Sequence, residues 1–85
     1  MFFYSRKAER EDIMNKETFA KKYDKTIRGI AIANGDVDMS VAESMLEYEI
    51  KVRLGIVERA DTYKGISNDF DWETAKADYN TLYKK

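Results

Sequence analysis

Apolar residues return every three to four positions along two long stretches of this chain, and no proline interrupts them. That spacing puts them on one side of a helix, because about 3.6 residues make a turn. A strand would show strict alternation instead. In the first stretch, from about Lys16 to Ile30 or beyond, Phe19, Ala20, Tyr23, Ile27, Ile30 and Ala31 share one stripe, with lysines opposite. Asn15 suits the N-cap, Glu17 the first turn, and Met14 can staple onto Phe19.

The second stretch predicts the longest helix, from about Val41 to Tyr63. Ser40-Val41-Ala42-Glu43 reads as a capping box, in which the hydroxyl accepts from a free amide and the Glu reaches back to the cap. Val41, Ala42, Met45, Leu46, Ile50, Val52, Ile56, Val57, Ala60 and Tyr63 spread over about half its circumference. One neighbouring helix cannot cover so wide an arc. Gly55 interrupts this helix at a cost of about 1 kcal/mol relative to Ala, and allows a close approach or a bend before Ile56. A third helix is expected after Asp71 as N-cap, with Trp72, Ala75, Tyr79, Leu82 and Tyr83 as its stripe and residues 65–69 as the preceding loop.

Between the first two helices, Asn34-Gly35 admits two readings. It can end a helix with Gly35 left-handed, or turn a hairpin between Ile30, Ile32 and Val37, Met39. The helical stripe running through Ile30 and Ala31 favours the cap. The expected fold is therefore all-α, a compact bundle of three helices with a fourth allowed, in one domain over residues 1–85. The alternative is α+β with a small hairpin. Residues 1–13 read as an arm: Ser5 can cap a short charged helix, Phe2-Phe3-Tyr4 can dock as a strand, and Met14 can serve as an internal start.

The residue types that are absent exclude several chemistries. The chain has no Cys and no His, so it offers no thiolate nucleophile, no zinc–thiolate site and no imidazole base. Its glycines (29, 35, 55 and 65) are isolated, so there is no phosphate-cradling loop, and no hydroxyl has a His to activate it. The expectation is a protein without catalysis, cofactor or metal. Its apolar runs, such as Ile30-Ala31-Ile32-Ala33, are too short to cross a bilayer. Met1-Phe2-Phe3-Tyr4 precedes Arg6 and Lys7, the reverse of a signal peptide. A cytoplasmic protein without a membrane segment is expected.

Charge is unevenly placed. Residues 14–35 carry Lys16, Lys21, Lys22, Lys25 and Arg28 against Glu17 and Asp24, whereas residues 36–63 are rich in acids. The two regions are expected to pack together. From Asp36, acids or hydroxyls at Asp38, Ser40, Ser44 and Glu47 match the ligand spacing of a calcium loop, but Val41 stands where that loop needs Gly. A plain helix start is the better reading. Asn68, Asp69, Asp71 and Glu73 are read likewise as a cap with first-turn acids.

Glu49 and Arg53 stand four apart inside the apolar arc, near Met45 and Ile56. Charges there must be paired, which suggests either a strip reaching solvent or an interface that fixes register. With Tyr48, Tyr4 and Tyr83 as partly exposed aromatics, these seven are the candidate partner-binding residues. Lys21, Lys22, Lys25 and Arg28 are the candidate phosphate contacts of a DNA-binding alternative. That reading is weakened by Asp24 among them and by acids on the next helix.

A short chain with a surplus apolar face and no catalytic residues points to a protein-binding module, regulatory or inhibitory. A homo-oligomer pairing across Glu49–Arg53 is the structural alternative, and nucleic acid is an unlikely partner. The Lys-, Asn- and Tyr-rich, Pro-free style of the chain resembles small accessory proteins of phages and mobile elements, and that resemblance implies a partner in a host or defence protein.

Overall fold

The computed structural model describes residues 14–83. Among the described residues four helices follow one another, α1 (Lys16–Lys22), α2 (Asp24–Ala33), α3 (Met39–Leu54) and α4 (Trp72–Leu82), and no strand occurs. The class is all-α, a compact helical bundle. The readings of residues 1–13, including Ser5 and Phe2-Phe3-Tyr4, lie outside the described residues.

The single first helix expected from the sequence is two. The break falls at Tyr23, whose φ of −105° and ψ of 20° leave the helical region. It is shallow, because Tyr23 N–H still donates to Phe19 O at 3.1 Å and Ile27 N–H to Tyr23 O at 2.8 Å. At the break the Tyr23 hydroxyl donates to Asp78 of α4, and Lys22 Nζ meets the same carboxylate at 2.7 Å. Burial first, and that bond second, push the Tyr23 hydroxyl's pKa upward. The start of α1 follows its sequence: Asn15 accepts from Thr18 N–H at 2.8 Å, and Met14 packs against the core.

The α2–α3 connection takes the capped form. Asn34 ends α2, Gly35 turns left-handed at φ 96°, and Val37 N–H returns to Ala31 O at 3.2 Å. The hairpin alternative is not formed. The start of α3 departs from expectation, since its N-cap is Asp38 and Ser40 already lies inside the helix. Ser40 therefore makes no capping box with Glu43. Its carbonyl accepts from Ser44 Oγ instead.

The end of α3 is the largest correction. The helix stops at Leu54 rather than Tyr63, because Gly55 adopts φ 80°. Gly55 N–H bonds Val52 O and Ile56 N–H bonds Lys51 O, the paired bonds of a Schellman ending. Ile56, Val57, Ala60 and Tyr63 consequently leave the helical wheel on which the wide arc was drawn.

Residues 55–71 become an irregular strap from α3 to α4, long for a structureless connection. It is pinned at several points. The Asn34 amide donates to Lys64 O at 2.9 Å and accepts from Lys64 N–H at 3.3 Å. One residue on, Gly65 passes so near α2 that a Cβ there would lie 2.5 Å from Gly29 O. Ile66 and Phe70 then pack on the core. Asp71 caps α4, accepting from Thr74 N–H at 3.1 Å and from the Thr74 hydroxyl at 2.6 Å. These bonds to the carboxylate hold its pKa down.

Phe19, Ile27, Ile30, Leu46 and Ile50 form the centre of the core, joined by Ala42, Ala75, Tyr23 and Tyr79. Burying each large side chain contributes about 1.5–3 kcal/mol. The basic and acidic regions do meet: Lys16 Nζ lies 2.8 Å from Glu47 and 3.9 Å from Glu43. Bonding to Glu47 raises the Lys16 pKa.

Candidate functional site

Glu49 lies on α3 with its side chain turned inward, and the residue is only 3% exposed. A carboxylate so buried must be matched by charge and hydrogen bonds. Arg53, one turn later, donates from Nη1 to Glu49 Oε1 at 2.9 Å. The strap supplies the rest. Arg59 donates from Nη2 to Oε1 at 2.7 Å and from Nη1 to Oε2 at 2.9 Å, a two-point grip, and Tyr63 N–H reaches Oε2 at 3.3 Å. The Arg59 bonds above all hold the Glu49 pKa below the usual carboxylate range. Burial pulls the other way, and Arg53 and the Tyr63 N–H add to the lowering.

Trp72, the first residue of α4, closes the cluster. The Arg53 guanidinium lies 3.6 Å from its ring centroid, a stacked cation–π contact. Glu49 thus ties α3 to the strap, and Arg53 carries the tie to α4. Beside it opens a cleft of about 320 Å³ lined by Glu49, Arg53, Arg59, Tyr63, Asn68 and Trp72 among others.

The candidate partner-binding residues separate. Glu49 and Arg53 come together, in a contact satisfied within the chain. Tyr48 has its hydroxyl on the strap, donating to Glu58 O at 3.2 Å and accepting from Ala60 N–H, and its ring meets Tyr63 edge-on at 5.6 Å. Met45 is half-buried against the core. Ile56 is exposed, and Tyr83 is exposed while its hydroxyl donates to Glu47 at 3.1 Å. Neither lines the cleft, nor does Met45. Tyr4 lies outside the described residues.

No family model matches the chain, and no curated protein or solved structure resembles it significantly. Function must be argued from the side chains.

Arg59, Tyr63 and Trp72 are the cluster members that sequence reasoning missed. Arg59 stands ten positions from Glu49, a separation that no helical wheel joins. The available signal was Gly55 itself: a Gly after a last turn containing Lys51 and Arg53, followed by an apolar Ile56, is a helix ending.

The basic face is largely neutralised by its own chain. Lys21 Nζ lies 3.9 Å from Glu17, Lys22 pairs with Asp78, and Arg28 Nε lies 2.7 Å from Asp24. The calcium-loop spacing does not form a loop either. Ser44 and Glu47 are helical, and Glu47 is engaged by Lys16 and Tyr83. Among the described residues no cluster of three acids is placed to hold a metal ion.

Exposed apolar side chains lie chiefly at the other end of α3. Ile32 is 69% exposed, Met39 40% and Val41 43%. All three flank the short connection between α2 and α3. Sequence periodicity put Val41 on the buried arc; the side of α3 that packs on α2 and α4 carries Ala42, Leu46 and Ile50 instead, and Val41 is left outward.

Proposed function

We propose that this chain is a small non-enzymatic protein-binding module that acts by occupying a partner's surface, with a regulatory or inhibitory effect. The observation that carries this reading is the trio Ile32, Met39 and Val41, held out to solvent around the α2–α3 connection while the core beneath is filled. Single exposed apolar residues are ordinary; what supports this reading is that three of them flank one short connection. The Glu49–Arg53 strip is not the docking face in this reading; its charges hold the strap.

The test is a double substitution, Ile32→Lys with Val41→Lys. Both positions are exposed, so the helical circular dichroism should stay unchanged while capture of partner proteins from the source cell is lost. An unaltered set of captured proteins removes the reading.

Self-association through the same patch is the second reading, favoured by the apolar character of the trio. Sedimentation equilibrium separates the two, since a strict monomer excludes pairing of copies. The nucleic-acid alternative draws less support, because three of its four cations already face carboxylates of the same chain.

A further inference from the structure

We propose that the cleft between α3 and the strap is a binding site for a small oxyanion, a carboxylate or phosphate group carried by a small molecule. The site is distinct from the apolar patch at the α2–α3 connection. Two guanidinium groups line the cleft against one carboxylate, that of Glu49, and the other lining residues are neutral. Within the lining itself the formal charge is therefore +1, with the Asp69 carboxylate held by Ser67 at its edge.

The donors also exceed the acceptors. Arg53 spends Nη1 on Glu49, and Arg59 spends Nη1 and Nη2 on Glu49, with Nη1 reaching Asp61 O as well. Arg53 Nε and Nη2 and Arg59 Nε have no protein acceptor among the described residues. The side chains of Thr62 and Asn68, also in the lining, make no hydrogen bond among the described residues. A planar guanidinium presents its donors as a fork that matches carboxylate and phosphate oxygens.

Both arginines are held in place before any ligand arrives. Arg53 is fixed between Glu49 and the face of Trp72, and Arg59 between Glu49 and the Asp61 carbonyl. Ordering two long side chains is a large part of what binding normally costs, and here the fold has already ordered them. Their side chains remain about one third exposed, at 35% and 36%, so both are reached by solvent and partly shielded from it. A cleft of about 320 Å³ suits a small molecule.

Trp72 is the chain's single tryptophan, so its fluorescence reports on the cleft directly. Sodium phosphate and sodium acetate are titrated separately, with sodium chloride holding ionic strength constant. The expected result is a saturable change with at least one of them. A response to phosphate alone assigns a phosphate group, and a response to acetate alone assigns a carboxylate. Asn68→Asp places a negative charge in the lining at an exposed position outside the Glu49 network. It should weaken the midpoint about tenfold while circular dichroism is unchanged. Arg53→Lys, which keeps the charge but loses the planar fork, should weaken it as well. The proposal is overturned if neither anion saturates, or if Asn68→Asp binds as tightly as the parent.

Discussion

Replacing Glu49 with Gln keeps the side chain's volume and removes its charge. In the folded protein the carboxylate accepts from Arg53 Nη1, from both terminal nitrogens of Arg59, and from Tyr63 N–H. A glutamine offers one acceptor oxygen and turns an NH2 group toward a guanidinium. Each charge-assisted hydrogen bond contributes about 1.5–3 kcal/mol, and at least two are lost. The arginines are a third exposed and regain water when released, which cuts the net cost to about 2–3 kcal/mol. For a domain of this size, each kcal/mol moves the melting temperature by about 4–8 °C, so a drop of about 10–20 °C is expected. The loss should also be local. Without its grip on α3 the strap should open to trypsin at Arg59 and Lys64 before the helices melt. Circular dichroism at 222 nm reads the first effect, and timed digestion with mass spectrometry reads the second. A variant that melts within a degree or two of the parent, with an uncut strap, would refute the claim that this carboxylate fastens the strap.

The same carboxylate sets an acid limb. Its folded pKa lies below its unfolded value, so the stability it supplies is complete above the usual carboxylate range. That stability is lost as pH falls through the folded pKa, and Glu49→Gln should flatten the limb in urea titrations below about pH 4.5. Gly65→Ala should destabilise by more than about 2 kcal/mol, because φ is 98° and the new Cβ would sit 2.5 Å from Gly29 O. Gly35→Ala has a similar φ of 96° but nothing within 4 Å, and should cost only about 1 kcal/mol; equal denaturant midpoints for the two would contradict the close approach. Leu46→Ala, at a fully buried position, should lose about 2–5 kcal/mol, readable in the same denaturant series.

Local chemistry was legible in the sequence. Asn15 and Asp71 cap as their positions suggest, the Phe19–Ala31 stripe is the core face of α1 and α2, and Gly35 ends α2. These features depend on neighbours within about four residues, which is what periodicity and capping rules record. The end of α3 was misread because the apolar period continues past Gly55 by coincidence, and periodicity outweighed a single glycine. The Glu49 site was half legible. Its pairing with Arg53 follows from spacing, whereas Arg59, Tyr63 and Trp72 arrive only through the path of the strap. That path rests on contacts between residues about thirty positions apart, such as Asn34 with Lys64, which no local pattern encodes.

The crossing of Gly29 and Gly65 has a consequence for how the chain can change. Glycine ordinarily marks freedom, yet here two backbones lie so close that a single methyl on Gly65 would fall within 3 Å of Gly29 and Ile30. The atoms that such a methyl would meet are backbone atoms, so no replacement at Gly29 relieves the crowding. A spot where no side chain does anything thereby governs whether the protein keeps its lid of irregular chain against the helices.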